Sequence, residues 1–219
     1  MATVCGKDAW SENQMKYIFM AGAPGSKWSS VSKNIYFSPN IDRTDASPER
    51  EYYHDAPGTL ELMHVGAYFD PGMEFGDFFD RIDQYTKAEC EAEFDRPFSG
   101  QGIRIIKSHV FCHHLDFIKK TWPDCPIILV HRGNDASLGW WVKCGHFNIT
   151  YPSYDKYYKD LRQMAIEIKK QNADMRAHWE YASFVYDNRG LCDQLGIAPP
   201  LTEYYQNYAD SKVRVKVIR

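Results

Sequence analysis

Three short stretches carry side chains whose types and spacing could do chemistry. The first is Gly22-Ala23-Pro24-Gly25-Ser26-Lys27-Trp28-Ser29-Ser30. Small residues let backbone N–H groups approach an anion, and a helix beginning there would add its partial positive charge. Lys27 supplies a full charge, and Ser26, Ser29 and Ser30 supply hydroxyl donors. The second is Arg132, followed five positions later by Ser137. An arginine can pair bidentately with a phosphate, although an ion pair with Asp135 is the plainer role. The third is Lys107-Ser108-His109, which offers a base beside a cation. His109, Cys112, His113 and His114 could instead be metal ligands. No second ligand pair at zinc-site spacing accompanies them, so no metal is expected. Nor is the first stretch a Walker A loop. That motif needs G-x-x-x-x-G-K-[ST], whereas Lys27 precedes Trp28 and leaves no hydroxyl for magnesium.

The elements that must position these groups can be read from apolar spacing. Tyr17 to Ala21 is a short run rich in strand formers, and Trp28, Val31, Ile35 and Tyr36 then recur at helical steps. Ile103, Ile105 and Ile106 form a second strand that ends at Lys107, with a short helix over 113–120. Ile127 to Val130 reads as a strand buried on both faces, ending at His131-Arg132, with helix from Ala136 to about Lys143. Ser153 can cap a long helix with the stripe Tyr157, Leu161, Met164 and Ile168. A last short helix spans about 189–195, with Gly196 as its C-cap. Val213, Val215 and Val217 alternate with Lys212, Arg214 and Lys216, the pattern of a strand with one basic face or of a frayed end. Between residues 70 and 95 nine acidic residues face only Arg81 and Lys87, a local charge of −7. Phe75, Phe78, Phe79 and Ile82 give that segment helical spacing, so it reads as an amphipathic helix with a solvated acidic face, or an acidic wall beside a cationic acceptor. Strands alternating with helices point to an α/β fold: three α/β/α layers, a central mostly parallel sheet and a P-loop-like phosphate-binding turn. In such sheets ligands collect at the carboxyl ends of the strands, where all three stretches lie.

Composition bounds the rest. The chain has 219 residues, 44% hydrophobic and 25% charged, with a net charge of −3. These values suit one ordinary globular domain spanning 1–219, with residues 1–15 as a loose arm and 40–100 as a variable acceptor-side insertion. The mild negative charge gives no general field for nucleic acid, and no apolar run reaches the ~18 residues of a membrane span. Six cysteines occur without a C-x-x-C and without a secretory signal, so reduced thiols and a cytoplasmic location are expected.

Taken together, the three stretches resemble the sulfotransferases that use 3′-phosphoadenosine 5′-phosphosulfate (PAPS), as a compact, divergent member. The family's first loop, P-[KR]-S-G-[TS]-[TS], holds the 5′-phosphosulfate, and Pro24, Ser26 and Ser29 match it. A later strand ends in an Arg that, with a Ser on the next helix, holds the 3′-phosphate, as Arg132 and Ser137 would here. Hydroxyl-sulfating members carry K-T-H, which Lys107-Ser108-His109 matches closely. The stretch 184–199 is similar to the family's closing helix. There are departures. Gly25 stands where a basic residue is usual, Lys27 stands where Gly is usual, and Ser137 follows Arg132 by five residues rather than eight.

The resemblance implies PAPS as donor and a hydroxyl or amine of a small molecule or glycan as acceptor. It makes His109 the general base, with Lys27 and Lys107 as catalytic cations. Pro24, Gly25, Ser26, Lys27, Trp28, Ser29, Ser30, Arg132 and Ser137 would hold the nucleotide, with Trp28 able to stack on adenine. A sulfuryl group carries less charge than a phosphoryl group, so in-line transfer requires a base and cations rather than a magnesium clamp. A P-loop kinase and a catalytically silent nucleotide-binding scaffold are the rival expectations. Tyr52, Tyr53, His54 and His64 are candidates to shape the acceptor pocket.

Overall fold

Tyr17–Gly22 (β1) is buried at every position, so a strand here must be covered on both faces. The computed structural model describes residues 15–51, 64–143, 160–179, 188–201 and 212–219. In it β1 lies at the centre of a four-stranded sheet, between Arg104–Lys107 (β2) and Ile127–Arg132 (β3), and Val213–Ile218 (β4) follows on the outside of β3. β1 is parallel to both neighbours, with Tyr17 opposite Arg104 and Gly22 opposite Val130. β4 runs antiparallel to β3 and pairs Val215 with Val130. The fold is therefore mixed α/β on a mostly parallel sheet.

Alternation along the strands sends side chains into two cores. Tyr17, Phe19, Ala21, Ile127 and Leu129 point to one face. There they meet Cys90 and Phe94 of Lys87–Asp95 (α2), Leu115 and Ile118 of Leu115–Thr121 (α3), Trp141 of Asn134–Lys143 (α4), and Met164, Ile168 and Met175 of Leu161–Ala177 (α5). Ile18, Met20, Ile128 and Val130 point the other way, onto Trp28, Val31 and Ile35 of Trp28–Tyr36 (α1) and Leu191, Cys192 and Leu195 of Asn188–Leu195 (α6). Each such side chain contributes about 1.5–3 kcal/mol on burial, which is why β1, buried throughout, anchors the sheet.

Several local expectations change in the structure. Phe75, Phe78, Phe79 and Ile82 do not share one helix. The chain turns at Gly76, winds as a 3-10 segment over Phe79–Gln84 that is broken at Arg81, and enters α2 only after Thr86. Their spacing follows packing instead: Phe79 touches Phe69, Phe94 and Phe111. Thr86 and Glu89 form a reciprocal capping box that starts α2. α4 begins at Asn134 rather than Ala136. α5 is capped by Asp160, whose side chain accepts from Arg162 N at 2.8 Å. Ser153 and Tyr157 lie outside the described residues, and Leu161 is exposed, so the buried stripe of α5 is Met164, Ile168 and Met175. The valine-rich tail is a true strand, with Val213 and Val215 buried. No helix among the described residues is long and apolar enough to cross a membrane. Cys90, Cys112, Cys125 and Cys192 are buried.

Candidate functional site

The strand order β2-β1-β3 means that the chain leaves β1 toward one side, reaches β2, and returns across to the other side for β3. The carboxyl ends of β1 and β3 thus flank a point where the connections diverge, the place where open α/β sheets collect ligands. The β1–α1 loop and the β3–α4 loop meet there. Gly25 adopts φ +76°, and a Cβ at this position would lie 2.0 Å from the Ser137 carbonyl oxygen, so only glycine lets the two loops touch. Arg132 Nη1 donates to the Gly25 carbonyl at 3.5 Å. Ser137 is buried; its hydroxyl donates to the Arg132 carbonyl at 2.5 Å, which props the strand end. Asn172 of α5 buttresses the same place, reaching the Arg132 carbonyl at 3.4 Å and Asn134 Oδ1 at 2.8 Å.

Lys27 is the N-cap of α1 with φ +68°, the one non-glycine residue in left-handed backbone among the described residues. Its ammonium lies over the Trp140 ring at 3.8 Å, and the Arg132 guanidinium lies 5.3 Å from the same ring. With Lys143 of α4 at 5.5 Å, three cations are thereby gathered on one indole. In the same loop and the first turn of α1, Ser26 and Ser30 are 0% and 1% exposed, and their hydroxyls have no hydrogen-bond partner among the described residues. Leaving such a group unmatched costs about 1–3 kcal/mol, so a pair at a helix N-terminus suits an oxyanion. Ser29 turns elsewhere, with its hydroxyl 2.9 Å from the His64 ring.

The third strand end closes the site. Asp70 is buried, and its Oδ1 accepts from the Ser108 hydroxyl at 2.6 Å and from the His109 amide at 2.9 Å, fixing the turn after β2. His109 is 2% exposed. Its Nδ1 meets the Gly22 carbonyl, which can only accept, so Nδ1 carries the proton and Nε2 holds the lone pair. Tyr68 Oη lies 2.5 Å from Nε2 and donates to it. Trp28 stacks on the imidazole with ring centres 4.0 Å apart. Burial lowers the His109 pKa to about 3, against the opposing pull of the Gly22 carbonyl, so the ring is neutral at pH 7.

Lys107 bonds outside the two loops. Its ammonium is buried and donates to the Val65 carbonyl at 2.6 Å. Burial lowers its pKa to about 8, partly offset by the Asp45 carboxylate. With Phe69 N on the Lys107 carbonyl and Ala67 N on Asp45, this contact staples residues 65–69 to β2.

The structure therefore joins Gly25, Lys27, Arg132 and Ser137 in one place, and Trp28 and His109 beside the start of the same loop. Lys107 and the Ser29 hydroxyl are turned to other partners. Of the possible metal ligands, His113 is engaged by Glu167 at 3.0 Å and Asp174 at 2.6 Å, and His114 lies 3.6 Å from Asp83. No group of three or more metal-ligating side chains able to hold an ion occurs among the described residues. Tyr52, Tyr53 and His54 lie outside those residues. A cleft of about 590 Å³ at the opposite edge of β1 and β2, lined by Lys16, Tyr17, Asp95 and Arg104, contains none of the candidate groups.

Three site residues escape sequence reasoning: Tyr68, Asp70 and Trp140. Asp70 counts there only as one charge in an acidic run, and Trp140 only as a position within the helix expected over 136–143. Tyr68 gives no sequence signal of its own; its edge-on contact with His64 is a feature of the folded structure. Comparison of the chain with protein-family models, with curated proteins and with solved structures returned no match.

Proposed function

We propose that this protein transfers a sulfuryl group from PAPS to a hydroxyl acceptor, with His109 Nε2 as the ultimate proton sink. The observation that carries this reading is the bond between His109 Nδ1 and the Gly22 carbonyl. The residue best suited to be a base is tied to the first residue of the loop best suited to hold an oxyanion. In the three-layer α/β/α reading, this is the phosphate-binding turn of the sheet. Ser26, Ser30 and the N-terminus of α1 would take the 5′-phosphosulfate, with Lys27 as the cation beside the departing phosphate. Arg132 would take the 3′-phosphate, held in place by Ser137 and Asn172. Lys107, expected as a catalytic cation, acts in this reading as an anchor for residues 65–69. Trp28, expected on adenine, covers the imidazole.

The neutral His109 ring suits the step. Its Nε2 is unprotonated at pH 7 and already accepts from Tyr68, and the negative donor would stabilise the imidazolium formed as the acceptor oxygen attacks sulfur. Titration calorimetry with 3′,5′-bisphosphoadenosine tests the reading. We expect micromolar binding by the wild type and roughly 10- to 100-fold weaker binding by Arg132→Ala, the cost of unpairing a phosphate. Equal affinities remove Arg132 from the site. A second reading, nucleotide binding without turnover, is favoured by the burial of His109 with both nitrogens engaged. Release of bisphosphoadenosine from PAPS in the presence of EDTA separates the two.

A further inference from the structure

The imidazole cannot reach an acceptor directly. Gly22 occupies Nδ1, Trp28 covers one ring face, and the hydroxyl of Tyr68 sits on Nε2. Tyr68 is itself buried, packed edge-on against Trp28 at 5.4 Å and against His64 at 5.5 Å. Burial among these rings holds its side chain, and the backbone on either side is hydrogen-bonded. Ala67 N donates to Asp45 at 2.8 Å, Phe69 N donates to the Lys107 carbonyl at 3.2 Å, and Asp70 holds Ser108 and His109. The short Tyr68–His109 contact is thus a fixed feature of the site, with a phenol oxygen placed where a hydroxyl acceptor would otherwise meet the base.

From this we infer that Tyr68 is a proton relay: the acceptor hydroxyl bonds to Tyr68 Oη, and His109 receives Tyr68's own proton. The step rests on the sulfotransferase reading and balances as follows. The acceptor oxygen forms the new bond to sulfur while the bond from sulfur to the phosphate oxygen breaks, and bisphosphoadenosine leaves with that electron pair. The acceptor proton passes to Tyr68 Oη as the Tyr68 proton passes to His109 Nε2. Tyrosine is restored as a neutral phenol and His109 becomes an imidazolium, held by the Gly22 carbonyl on one nitrogen and Tyr68 on the other. A phenol suits this position because it can donate and accept through one oxygen at once. The acceptor is therefore selected by its fit to Tyr68 rather than to His109.

The test compares wild type with Tyr68→Phe, which keeps the ring and removes only the hydroxyl. Bisphosphoadenosine binding is measured first, then single-turnover transfer from PAPS to a panel of small phenols and alcohols in H₂O–D₂O mixtures. The relay predicts nucleotide affinity within about twofold of wild type and transfer reduced by roughly 10²-fold, the lower range for a lost acid–base group. The KM for PAPS stays unchanged. It also predicts a bowed dependence of the wild-type rate on deuterium fraction, because two protons move together. A merely structural Tyr68 gives a linear dependence, and either that or a Tyr68→Phe rate equal to wild type overturns the relay while leaving the sulfotransferase reading intact. Wild type that binds bisphosphoadenosine but transfers to no probe overturns the relay and leaves a nucleotide site. Wild type that binds no bisphosphoadenosine removes the functional reading itself.

Discussion

His109 presents a donor to Gly22 and an acceptor to Tyr68, and its burial sets how it responds to pH. An exposed imidazole titrates near ~6.5. A pKa held at about 3 means that the folded state favours the neutral ring. Its contribution to stability is therefore whole above ~6.5 and is lost progressively as pH falls toward the folded value. Nitrogen-15 spectra of the histidine ring should show an unprotonated Nε2 down to about pH 4, and an inflection near 6.5 contradicts the buried geometry. Bisphosphoadenosine brings negative charge near the ring and should raise this pKa, so an unchanged titration in the complex places the phosphates elsewhere. Lys27 allows a separate test of backbone and charge. Left-handed backbone costs a side chain about 1–2 kcal/mol that glycine is spared. Urea unfolding should show Lys27→Gly more stable than Lys27→Ala by about 1 kcal/mol, while both lose the same bisphosphoadenosine affinity. At this scale the sequence was informative wherever a chemical group follows a strand, as His109 and Arg132 do. It could not reveal Tyr68 or Asp70, because they meet His109 from 41 and 39 residues away and no local spacing encodes such a meeting.

Among the elements, α5 matters most to the site, because Asn172 carries it onto the Arg132 strand end. Its other anchor is ionic. His113 sits between Glu167 and Asp174, with Cys112 and His114 as its own-chain neighbours. Burial works against its charge, but the two carboxylates outweigh burial and hold its pKa above the ordinary value. The stabilisation is fully present below ~6.5 and is lost as pH rises through the folded value, the opposite sense to His109. Between pH 6 and 9 the unfolding free energy of wild type should fall relative to that of His113→Gln, and parallel curves for the two proteins contradict the clamp. Elements built on unbroken apolar runs, β1 and β3, were legible in the sequence, as was α6 with Gly196 at φ +70°. The aromatic segment before α2 was not. Phe75, Phe78 and Phe79 imitate helical spacing because they converge on one core from a winding backbone, and spacing alone does not separate the two cases.

At the scale of the molecule, the near-neutral total hides a division of charge. Lys27 and Arg132 gather over Trp140 where the β1–α1 and β3–α4 loops meet. Three carboxylates of the acidic segment are matched by other cations, Glu74 by Arg50, Glu93 by Arg96, and Asp95 by Lys16 and Arg104. Composition reports only the sum. The sheet depends on β4 to cover β3, and Val215 is 6% exposed within the α1–α6 core. Val215→Ala should cost about 2 kcal/mol in urea unfolding, from lost burial and the cavity left behind, and a cost below ~0.5 would show that β4 is dispensable. The parallel pairing of β1 has a consequence in time. Every strand partner of β1 lies far along the chain, and His109 meets Gly22 across 87 residues. Contacts of such sequence separation form late and slowly during folding. Trp28 cannot acquire its imidazole neighbour until β1 and β2 have found each other. The difference in refolding fluorescence between wild type and Trp28→Phe is then an internal clock, and its slow phase marks the moment at which the chemistry of the molecule comes into being.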